Sequence, residues 1–391
     1  MTITLPRQPN ASTAGYLAKK TTTTLSTANS RVPFQEVAIN RNRKLFSPSL
    51  EQGNKKRFKS SRSDLSVKPQ ARPLQSRPFQ AKPSSRSHLS AKPQARPLQS
   101  RPFRAKPIAD IDKDDQTDPL GLAATVYAKE IFQNLREREV TLAPNPNYLS
   151  SGQPKICAEM LSILIDWLIS VHERKSNKSG LEGGYSPETI YLTSNILHRF
   201  LSSVDIEREE LQLVGVTAFF IASKYEDIYP PSLKELCCLC DDFYTEQQLL
   251  DMEVVILKTL EYRVSAPTSL NFLERFLKAS KADSEMKSVA CYMLDGTLLS
   301  YELLQYRPSE LAAAAVFIAR SNNTSTWNRT MEFYTGFNKS KVQSVAKTVV
   351  KMFRGTPLRA VHNKYARSRH GKVSLSFDFD SLCFVNSGGD W

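Results

Sequence analysis

The sequence predicts an all-α protein in which two tandem five-helix bundles follow a long, basic, disordered tail. Three observations support this fold class. Apolar residues recur with helical spacing from about Pro119 onward, and nothing there alternates as a half-buried strand would. Two small-residue helices echo each other 97 residues apart, as TAFFIAS at Thr217–Ser223 and AAVFIAR at Ala314–Arg320. The composition also changes sharply near residue 118.

Residues 1–118 are predicted to be a disordered regulatory tail rich in Pro, Arg and Ser. Residues 1–108 contain 12 of the 22 prolines, and 22 Lys and Arg against three acidic residues. Such a segment buries too little apolar surface to offset the entropy cost of ordering. Its 24-residue tandem repeat, with copies starting at Ser61 and Ser85, is interpreted as a recent duplication, since a solenoid needs at least about three packing units.

The first bundle is predicted within residues 119–265. GLAATVYAKEIFQNLRERE is typical of an amphipathic helix. Its apolar points are Val126, Ile131, Phe132 and Leu135. ICAEMLSILIDWLISVH is apolar on nearly all sides, which indicates a central, enclosed helix. Ser186 and Pro187 then mark the N-cap and the first position of another helix.

Two further helices complete this region. EREELQLVGVTAFFIASKY contains small residues that allow neighbouring helices to approach, at Gly215, Ala218 and Ala222. TEQQLLDMEVVILKTL begins with Thr245 and Gln248 at capping-box spacing. The cluster CCLC lacks a second Cys/His pair at zinc-like spacing and is interpreted as small apolar residues on a short helix.

The second bundle is predicted within residues 266–358. Four segments have helical periodicity: LNFLERFLKAS, EMKSVACYMLDGTLLSYELLQ, PSELAAAAVFIARS and KSKVQSVAKTVVKMF. Residues 359–391 are predicted to be a C-terminal tail, in which SLSFDFDSLCF packs back on the body.

Charge distribution and composition narrow the function class. The net charge of +14 suggests a nucleic-acid binder, but residues 1–108 alone contribute +19 and leave residues 109–391 at −5. No apolar run approaches the ~20 residues that span a bilayer, and no signal-peptide pattern is present. We therefore expect a reducing compartment, no membrane association, and no direct nucleic-acid binding by the folded part.

Several motifs, taken in order, resemble those of mitotic cyclins of the A and B groups. They are MLSILIDWLISVH, RFLSS, LQLVGVTAFFIASKYEDIYPP, DDFYT and LLDMEVVILKTLEY. The resemblance runs from about Leu120 to Phe353 and is most specific between Leu211 and Leu260. It implies two tandem cyclin boxes and a regulatory subunit, not an enzyme, that binds and activates a cyclin-dependent protein kinase, with neither cofactor nor metal.

The resemblance also implies a kinase-binding surface. Lys224 and Glu253 match the family's paired Lys and Glu, which clamp backbone groups of the kinase; the alternative is an ordinary surface salt bridge worth ~0–1 kcal/mol. Five other positions match residues that pack against the kinase helix, and burial in the chain's own core is the alternative for them. They are Ile221, Tyr225, Leu257, Tyr262 and Val264.

A second surface implied by the resemblance is a docking groove for substrates and inhibitors that contain an Arg-x-Leu segment. Helical spacing places four apolar residues on one face, although such a stripe is more often core. They are Met160, Ile163, Leu164 and Trp167. Leu211 and Gln212 match the rest of this patch. The chain departs from the family pattern at Leu161, Ser162 and Ser170, where Ser170 replaces a usual Glu or Gln.

The tail contains candidate regulatory motifs. RVPFQEVAIN resembles a mitotic destruction box, with Arg31, Phe34 and Asn40 at its Arg, apolar and Asn positions. The resemblance implies a ubiquitin ligase of mitotic exit as partner. The alternatives are a chance match, and the Arg-x-x-Leu segments Arg62–Leu65 and Arg86–Leu89, which lack the trailing Asn. NKKRFK at Asn54–Lys59 suggests nuclear import or simply chain solubility. We expect a protein of nucleus and cytoplasm.

One alternative function stays open at this point. Transcriptional cyclins and basal transcription factors also have tandem cyclin folds, and they use basic surfaces on those folds to hold DNA or general factors. The mildly acidic body and the absence of an N-terminal zinc ribbon from the sequence argue against that class.

Overall fold

A computed structural model describes residues 125–176, 184–321, 327–355 and 359–382. Within these ranges all regular structure is helical, and no strand occurs. No helix in the described part of the chain combines the length and apolar character needed to cross a membrane. The predicted disordered tail, its tandem repeat and the motif at Arg31–Asn40 all lie outside the described residues.

The first bundle has five helices and is preceded by a separate N-terminal pair. The pair is α1 (Ala128–Thr141) and α2 (Tyr148–Gly152). The bundle helices are α3 (Ala158–Ser176), α4 (Pro187–Leu201), α5 (Leu211–Glu226), α6 (Leu233–Leu239) and α7 (Glu246–Thr259).

The second bundle also has five helices and is followed by two short ones. Its helices are α8 (Ser269–Ser280), α9 (Ser284–Thr297), α10 (Pro308–Ser321), α11 (Arg329–Thr335) and α12 (Lys339–Gly355). The short helices are α13 (Arg359–Tyr365) and α14 (Val373–Ser376). The echoing segments form α5 and α10, the most buried helix of each bundle. The prediction of two tandem five-helix bundles is confirmed.

The helix starts follow the capping chemistry of the sequence. The Ser186 hydroxyl accepts a hydrogen bond from the Glu188 amide, and Pro187 opens α4 without leaving an amide unsatisfied. At the start of α7, the Thr245 hydroxyl accepts from the Gln248 amide (3.2 Å), and the Gln248 side chain accepts from the Thr245 amide (2.9 Å). Both predicted caps are present.

Close approach of α3 and α5 depends on Gly215. A Cβ at this position would lie 2.7 Å from Leu164 Cδ2, closer than carbon atoms can pack. Because Leu164 is completely buried against this glycine, the two helices cross with almost no space between them. This contact confirms the predicted role of a small residue here and fixes the position of α3, which carries the predicted docking residues.

In the second bundle, the structure corrects one predicted helix and adds one that was not predicted. The segment EMKSVACYMLDGTLLSYELLQ is not one helix: α9 ends at Thr297, and a 3₁₀ turn follows at Tyr301–Gln305. Tertiary contacts favour the break, since the Tyr301 hydroxyl accepts a hydrogen bond from the Leu149 amide (3.1 Å) and its ring packs edge-on against Tyr148. Helix α11 was not predicted, because seven residues are too few to display a helical period.

Helix α1 is bound to the second bundle through its charged side chains. The buried Glu139 carboxylate accepts from the Ser309 amide (3.0 Å) and hydroxyl (2.8 Å) in the first turn of α10. Arg136 donates to the Thr335 carbonyl (2.6 Å) at the end of α11. An anion therefore meets a helix N-terminus and a cation meets a C-terminus, as the helix dipoles favour. Of the predicted apolar points, Phe132 and Leu135 pack inward, whereas Val126 and Ile131 are exposed.

The segment predicted as a C-terminal tail, residues 359–391, is described as far as Leu382 and packs against both bundles. Helix α13 lies on α3 and α9, and the Ala360 amide donates to Asp166 Oδ1 (2.9 Å). Val361 and Leu382 are completely buried. Further along, the Phe379 ring stacks near Phe353, with centroids 5.6 Å apart. The packing therefore begins at Arg359, well before the SLSFDFDSLCF segment.

Two buried carboxylates, Glu173 on α3 and Asp295 on α9, hold this C-terminal segment. Lys364 Nζ lies between them, 3.3 Å from Glu173 Oε1 and 2.9 Å from Asp295 Oδ2. Arg369 adds a 2.6 Å contact to Glu173, and the Tyr365 hydroxyl donates to Asp295 (2.9 Å). Burial alone raises the pKa of Glu173, but His172, Lys364 and Arg369 outweigh burial and hold that pKa at about 2. This network fixes the second bundle to the first.

Candidate functional site

Lys224 and Glu253 are brought together at the surface, 29 residues apart in the sequence. Lys224 lies in the last turn of α5, and its Nζ makes an ion pair with Glu253 Oε1 on α7. The Nζ also lies 4.1 Å from the centroid of the Phe220 ring, which provides a cation–π contact. The Lys224 side chain is 40% exposed. The ammonium group is thus held in one place while its remaining donor capacity faces solvent.

The end of α5 is anchored by Asp227. Its Oδ1 accepts from the Ser186 amide (2.6 Å) and from the Thr189 hydroxyl (3.0 Å), both at the start of α4. Because Asp227 binds both the backbone amide of Ser186, which has no partner within the helix, and the Thr189 side chain, the chain leaving α5 has a fixed direction. That direction sets where Lys224 and its neighbours meet solvent.

Large apolar side chains remain exposed around the ion pair. Tyr225 is 54% exposed and Tyr262 is 66% exposed. Three more exposed residues escaped the sequence analysis: Ile228 (88%), Tyr229 and Val254. A monomeric soluble protein rarely exposes such a group of neighbouring apolar side chains unless it binds a partner there. The available signal was apolar residues in the turn EDIYPP, where Pro prevents a helix.

The other predicted kinase-contact residues lie at different depths. Leu257 and Val264 are half-buried and pack against the core, so only part of each side chain is accessible. Ile221 is buried, one turn before Tyr225 on the same side of α5. It supports the surface from below and is not part of it.

A strained turn presents Tyr262 to solvent. Glu261 and Tyr262 have φ of 53° and 58°, a left-handed conformation that costs of order 1 kcal/mol per residue for an L-amino acid. Two backbone bonds hold it: the Tyr262 amide donates to the Leu257 carbonyl (2.8 Å), and the Glu261 amide donates to the Lys258 carbonyl (3.1 Å). This is a Schellman ending of α7 with Glu where Gly usually stands.

Beside the ion pair, a cleft of about 320 Å³ opens between α1 and the end of α7. Tyr225, Tyr262 and Val264 contribute to its wall together with Arg138 from α1. The Arg138 guanidinium donates to the Ser265 carbonyl and keeps α1 against this wall. The candidate surface therefore combines a polar clamp, exposed aromatic rings and a cleft of side-chain size.

The predicted docking residues separate into an accessible and a buried group. Met160, Ile163 and Trp167 are half-buried and share one face of α3, which we call the α3 stripe. Leu164, Leu211 and Gln212 are buried. Leu164 points at Gly215 and belongs to the helix–helix contact, so those three residues form the floor of this region and not its accessible surface.

Other polar residues near the sites have structural roles. Asp166 lies within the apolar helix α3. Its carboxylate accepts a hydrogen bond from the Ala360 amide at the start of α13, which is a structural role. Among the described residues, no group of three His, Cys, Asp or Glu side chains is arranged to bind a metal ion. Cys237 and Cys240 are buried at α6, whereas Cys238 is exposed and departs from the predicted core role.

Comparison with protein families covers most of the folded region. The family described as "Cyclin, N-terminal domain" matches residues 130–265, and "Cyclin, C-terminal domain" matches residues 267–378. The second match continues past residue 358 and includes α13 and α14, in agreement with their packing on the bundles.

Individual relatives align over the same region. The "G2/mitotic-specific cyclin-1" of Antirrhinum majus is 38% identical over 273 residues, which are 68% of this chain and 55% of that protein. The "G2/mitotic-specific cyclin-B" of Arbacia punctulata is 35% identical, covering 70% of this chain and 67% of its own length. "Cyclin-A2-1" of Oryza sativa subsp. japonica is 38% identical over 62% of this chain and 50% of its length. The chain thus spans between half and two thirds of these relatives.

Proposed function

This chain belongs to the cyclin family, beside the mitotic A-type and B-type cyclins, and we propose that it binds and activates a cyclin-dependent protein kinase to control mitotic progression. In this proposal the chain is a regulatory subunit and contributes no catalytic groups. The names of the relatives refer to mitotic cyclins, which does not favour the transcriptional alternative.

The proposal depends mainly on one observation: the Lys224–Glu253 pair is surrounded by exposed aromatic and aliphatic side chains. Tyr225, Ile228 and Tyr262 are each more than half exposed beside a cation that is held in position. A fixed polar clamp within an apolar surface suits a partner helix that presents backbone groups at its end and apolar side chains along its length.

The structural requirements of an active protein kinase explain how binding of this chain would activate it. A protein kinase is active only when its β3 lysine pairs with a glutamate of helix αC and its activation loop is ordered. A rigid surface that binds the inward position of αC shifts the kinase toward that state, because it binds one conformation better than the other. The rigidity comes from α5 and α7, whose apolar sides lie in the bundle core.

Reconstitution tests this proposal directly. The purified chain, mixed with a monomeric cyclin-dependent kinase, is expected to co-elute with it in size-exclusion chromatography and to raise histone phosphorylation by at least about 100-fold, as a shift of a mostly inactive two-state equilibrium requires. A kinase that stays separate and silent at micromolar concentrations of both proteins contradicts the proposal. Heat-unfolded chain serves as the control for nonspecific stimulation.

We further propose that the α3 stripe receives Arg-x-Leu segments of kinase substrates and inhibitors. The half-buried Trp167 with Met160 and Ile163 offers apolar contact area at one end of the first bundle, a common anchor arrangement. Ser170 replaces the Glu or Gln that is usual in the family pattern, so capture of the substrate arginine depends on acidic groups elsewhere in the chain.

Turnover of the chain is proposed to depend on Arg31, Phe34 and Asn40, which lie outside the described residues. In this proposal a ubiquitin ligase of mitotic exit recognises them, in a protein distributed between nucleus and cytoplasm. Arg31→Ala with Phe34→Ala is expected to extend the half-life at mitotic exit at least about threefold in a cycloheximide chase. The matched control is Arg62→Ala with Leu65→Ala, in an Arg-x-x-Leu without the trailing Asn. An unchanged half-life of the first variant contradicts the assignment.

A further inference from the structure

We propose that Arg43–Phe46 of the same chain docks on the α3 stripe, so that the N-terminal segment covers the substrate-docking face until a substrate displaces it. This inference rests on the docking role proposed above and adds the occupant of the free protein. Four observations support it: the stripe is short and apolar, one tail segment matches it in sequence, the charges are complementary, and the intervening chain is long enough.

The α3 stripe has the dimensions of a short peptide site. Met160 and Trp167 are seven residues apart, so the stripe extends ~10 Å along the helix at 1.5 Å per residue. Its three side chains are half-buried, and Met160 and Trp167 also pack against the core, so that only part of each is accessible. Covering them with two apolar side chains would remove their outer apolar surface from water and so favour docking.

One segment of the tail matches this requirement. Residues 1–118 contain three Arg-x-Leu triplets, which begin at Arg43, Arg72 and Arg96. Only the first is followed by a second large apolar residue, giving Arg43, Lys44, Leu45 and Phe46. The triplets inside the tandem repeat are followed by Gln, so each offers a single apolar side chain.

The charges of the two partners are complementary. Residues 1–108 contain 22 Lys and Arg against three acidic residues, whereas residues 109–391 contain 31 against 36. The N-terminal end of α3 carries exposed Glu159, beside Met160 of the stripe. Glu207 is bound to Lys155 just before α3, which brings the acidic segment DIEREE near the same end. We expect the Arg43 guanidinium to face this edge, in place of the acidic group that Ser170 lacks.

The intervening chain permits docking within one molecule. Phe46 and Thr125 are 79 residues apart, which allows a reach of up to ~260 Å, whereas a body of ~250 residues has a radius of gyration of only ~18 Å. A disordered linker of this length, as the sequence predicts for the tail, holds its end at an effective concentration of order 1 mM near the body. Intramolecular docking therefore competes well with a substrate segment of modest affinity.

The test measures how well the full-length chain binds a fluorescent peptide with the sequence of residues 41–50. Leu45→Ala with Phe46→Ala in the full chain removes the internal competitor and leaves the folded body untouched. This variant is expected to bind the peptide about tenfold more tightly than the unchanged chain in an anisotropy titration, since a ~1 mM internal ligand competes for a site of ~100 μM affinity. Equal affinity of the two chains overturns the proposal.

Matched variants identify the site and the occupant. Leu74→Ala with Leu98→Ala removes the apolar residues of the repeat triplets and is expected to leave peptide affinity unchanged; a tenfold gain there, with none for the Leu45 and Phe46 variant, overturns the assignment of Arg43–Phe46. In the chain with Leu45→Ala and Phe46→Ala, Trp167→Ala is expected to weaken peptide binding at least tenfold. Met160→Lys, a more peripheral change, is expected to do the same if Trp167→Ala fails to fold.

The same titration separates this proposal from the docking role on which it rests. If no variant binds the peptide, the α3 stripe is not a docking site and both proposals fail, while kinase binding through Lys224 is unaffected. If the unchanged chain and the tail variants bind the peptide equally, and Trp167→Ala still weakens binding, docking stands and internal occupancy fails. Sedimentation of the unchanged chain at 20 and 200 μM is expected to show a monomer at both concentrations; a dimer that forms at the higher concentration, and that the Leu45→Ala and Phe46→Ala variant does not form, identifies a second copy of the chain as occupant and overturns the intramolecular proposal.

Discussion

Lys224→Glu is expected to weaken kinase binding at least about 100-fold and to abolish kinase activation at micromolar concentrations. The change removes a charged donor whose hydrogen bonds contribute roughly 1.5–3 kcal/mol each and places a second carboxylate beside Glu253, which repels the partner's carbonyl groups. A loss of 100-fold corresponds to about 2.8 kcal/mol. The measurement is isothermal titration of a monomeric cyclin-dependent kinase with the full chain.

Two controls separate a kinase contact from an internal salt bridge. Lys234→Glu reverses an exposed lysine on α6 that is not part of the ion pair, and is expected to leave binding within about twofold. Lys224→Glu combined with Glu253→Lys restores an ion pair inside the chain, but the positive and negative groups exchange positions. Binding recovered by this double change would mean that the pair only stabilises the bundle. We expect no recovery, and an unchanged helical circular dichroism signal in all three variants.

Glu173→Gln is expected to destabilise the folded chain by about 3 kcal/mol at pH 7 and progressively less under acid conditions. The pKa of Glu173 is lowered from 4.5 to about 2, since His172, Lys364 and Arg369 outweigh the opposing effect of burial. Each pKa unit corresponds to 1.36 kcal/mol. Because the folded-state pKa lies below the unfolded-state value, this stabilisation is complete above about pH 4.5 and is lost as the pH falls toward 2.

The measurement is the urea midpoint of both chains at pH 7, 5 and 3. Comparison at each pH is needed because Glu188, whose pKa burial raises to about 7, titrates with the opposite sign in both chains. The difference in unfolding free energy between the unchanged chain and Glu173→Gln is expected to fall below half of its pH 7 value by pH 3. Glu302→Gln, at an exposed position, is the matched control and is expected to show no difference. A gap that stays constant with pH would mean that the amide disturbs packing and that ionisation of Glu173 is not involved.

Much of the helical architecture was predictable from local pattern. The caps at Ser186 and at Thr245–Gln248 connect residues two or three apart, so their hydrogen bonds are implied by the sequence itself. The echo of α5 in α10 indicated the duplication. Helix α11 was missed because a seven-residue helix shows less than two periods of its apolar pattern.

The candidate site was only partly predictable. Lys224 and Glu253 were paired through the family resemblance, and their ion pair is present, although kinase contact remains a proposal. The burial of individual side chains could not be predicted. Ile221 and Tyr225 have the spacing of one helix face, yet Ile221 is buried and Tyr225 is 54% exposed. Helix α5 is apolar on all sides, and other helices bury it only as far as Ser223. The apolar pattern therefore does not reveal the residue at which α5 becomes exposed to solvent.

The sequence by itself determined most of the long helices, the two caps at Ser186 and Thr245, the duplication and the family, since these depend on periodicity and on bonds between near neighbours. Only the tertiary structure decided which apolar side chains stay uncovered around Lys224, and how the C-terminal segment is fastened. The Arg369–Glu173 bond joins residues 196 positions apart. Burial and ion pairing of this kind depend on which distant surfaces meet, and no local pattern of residues encodes that meeting.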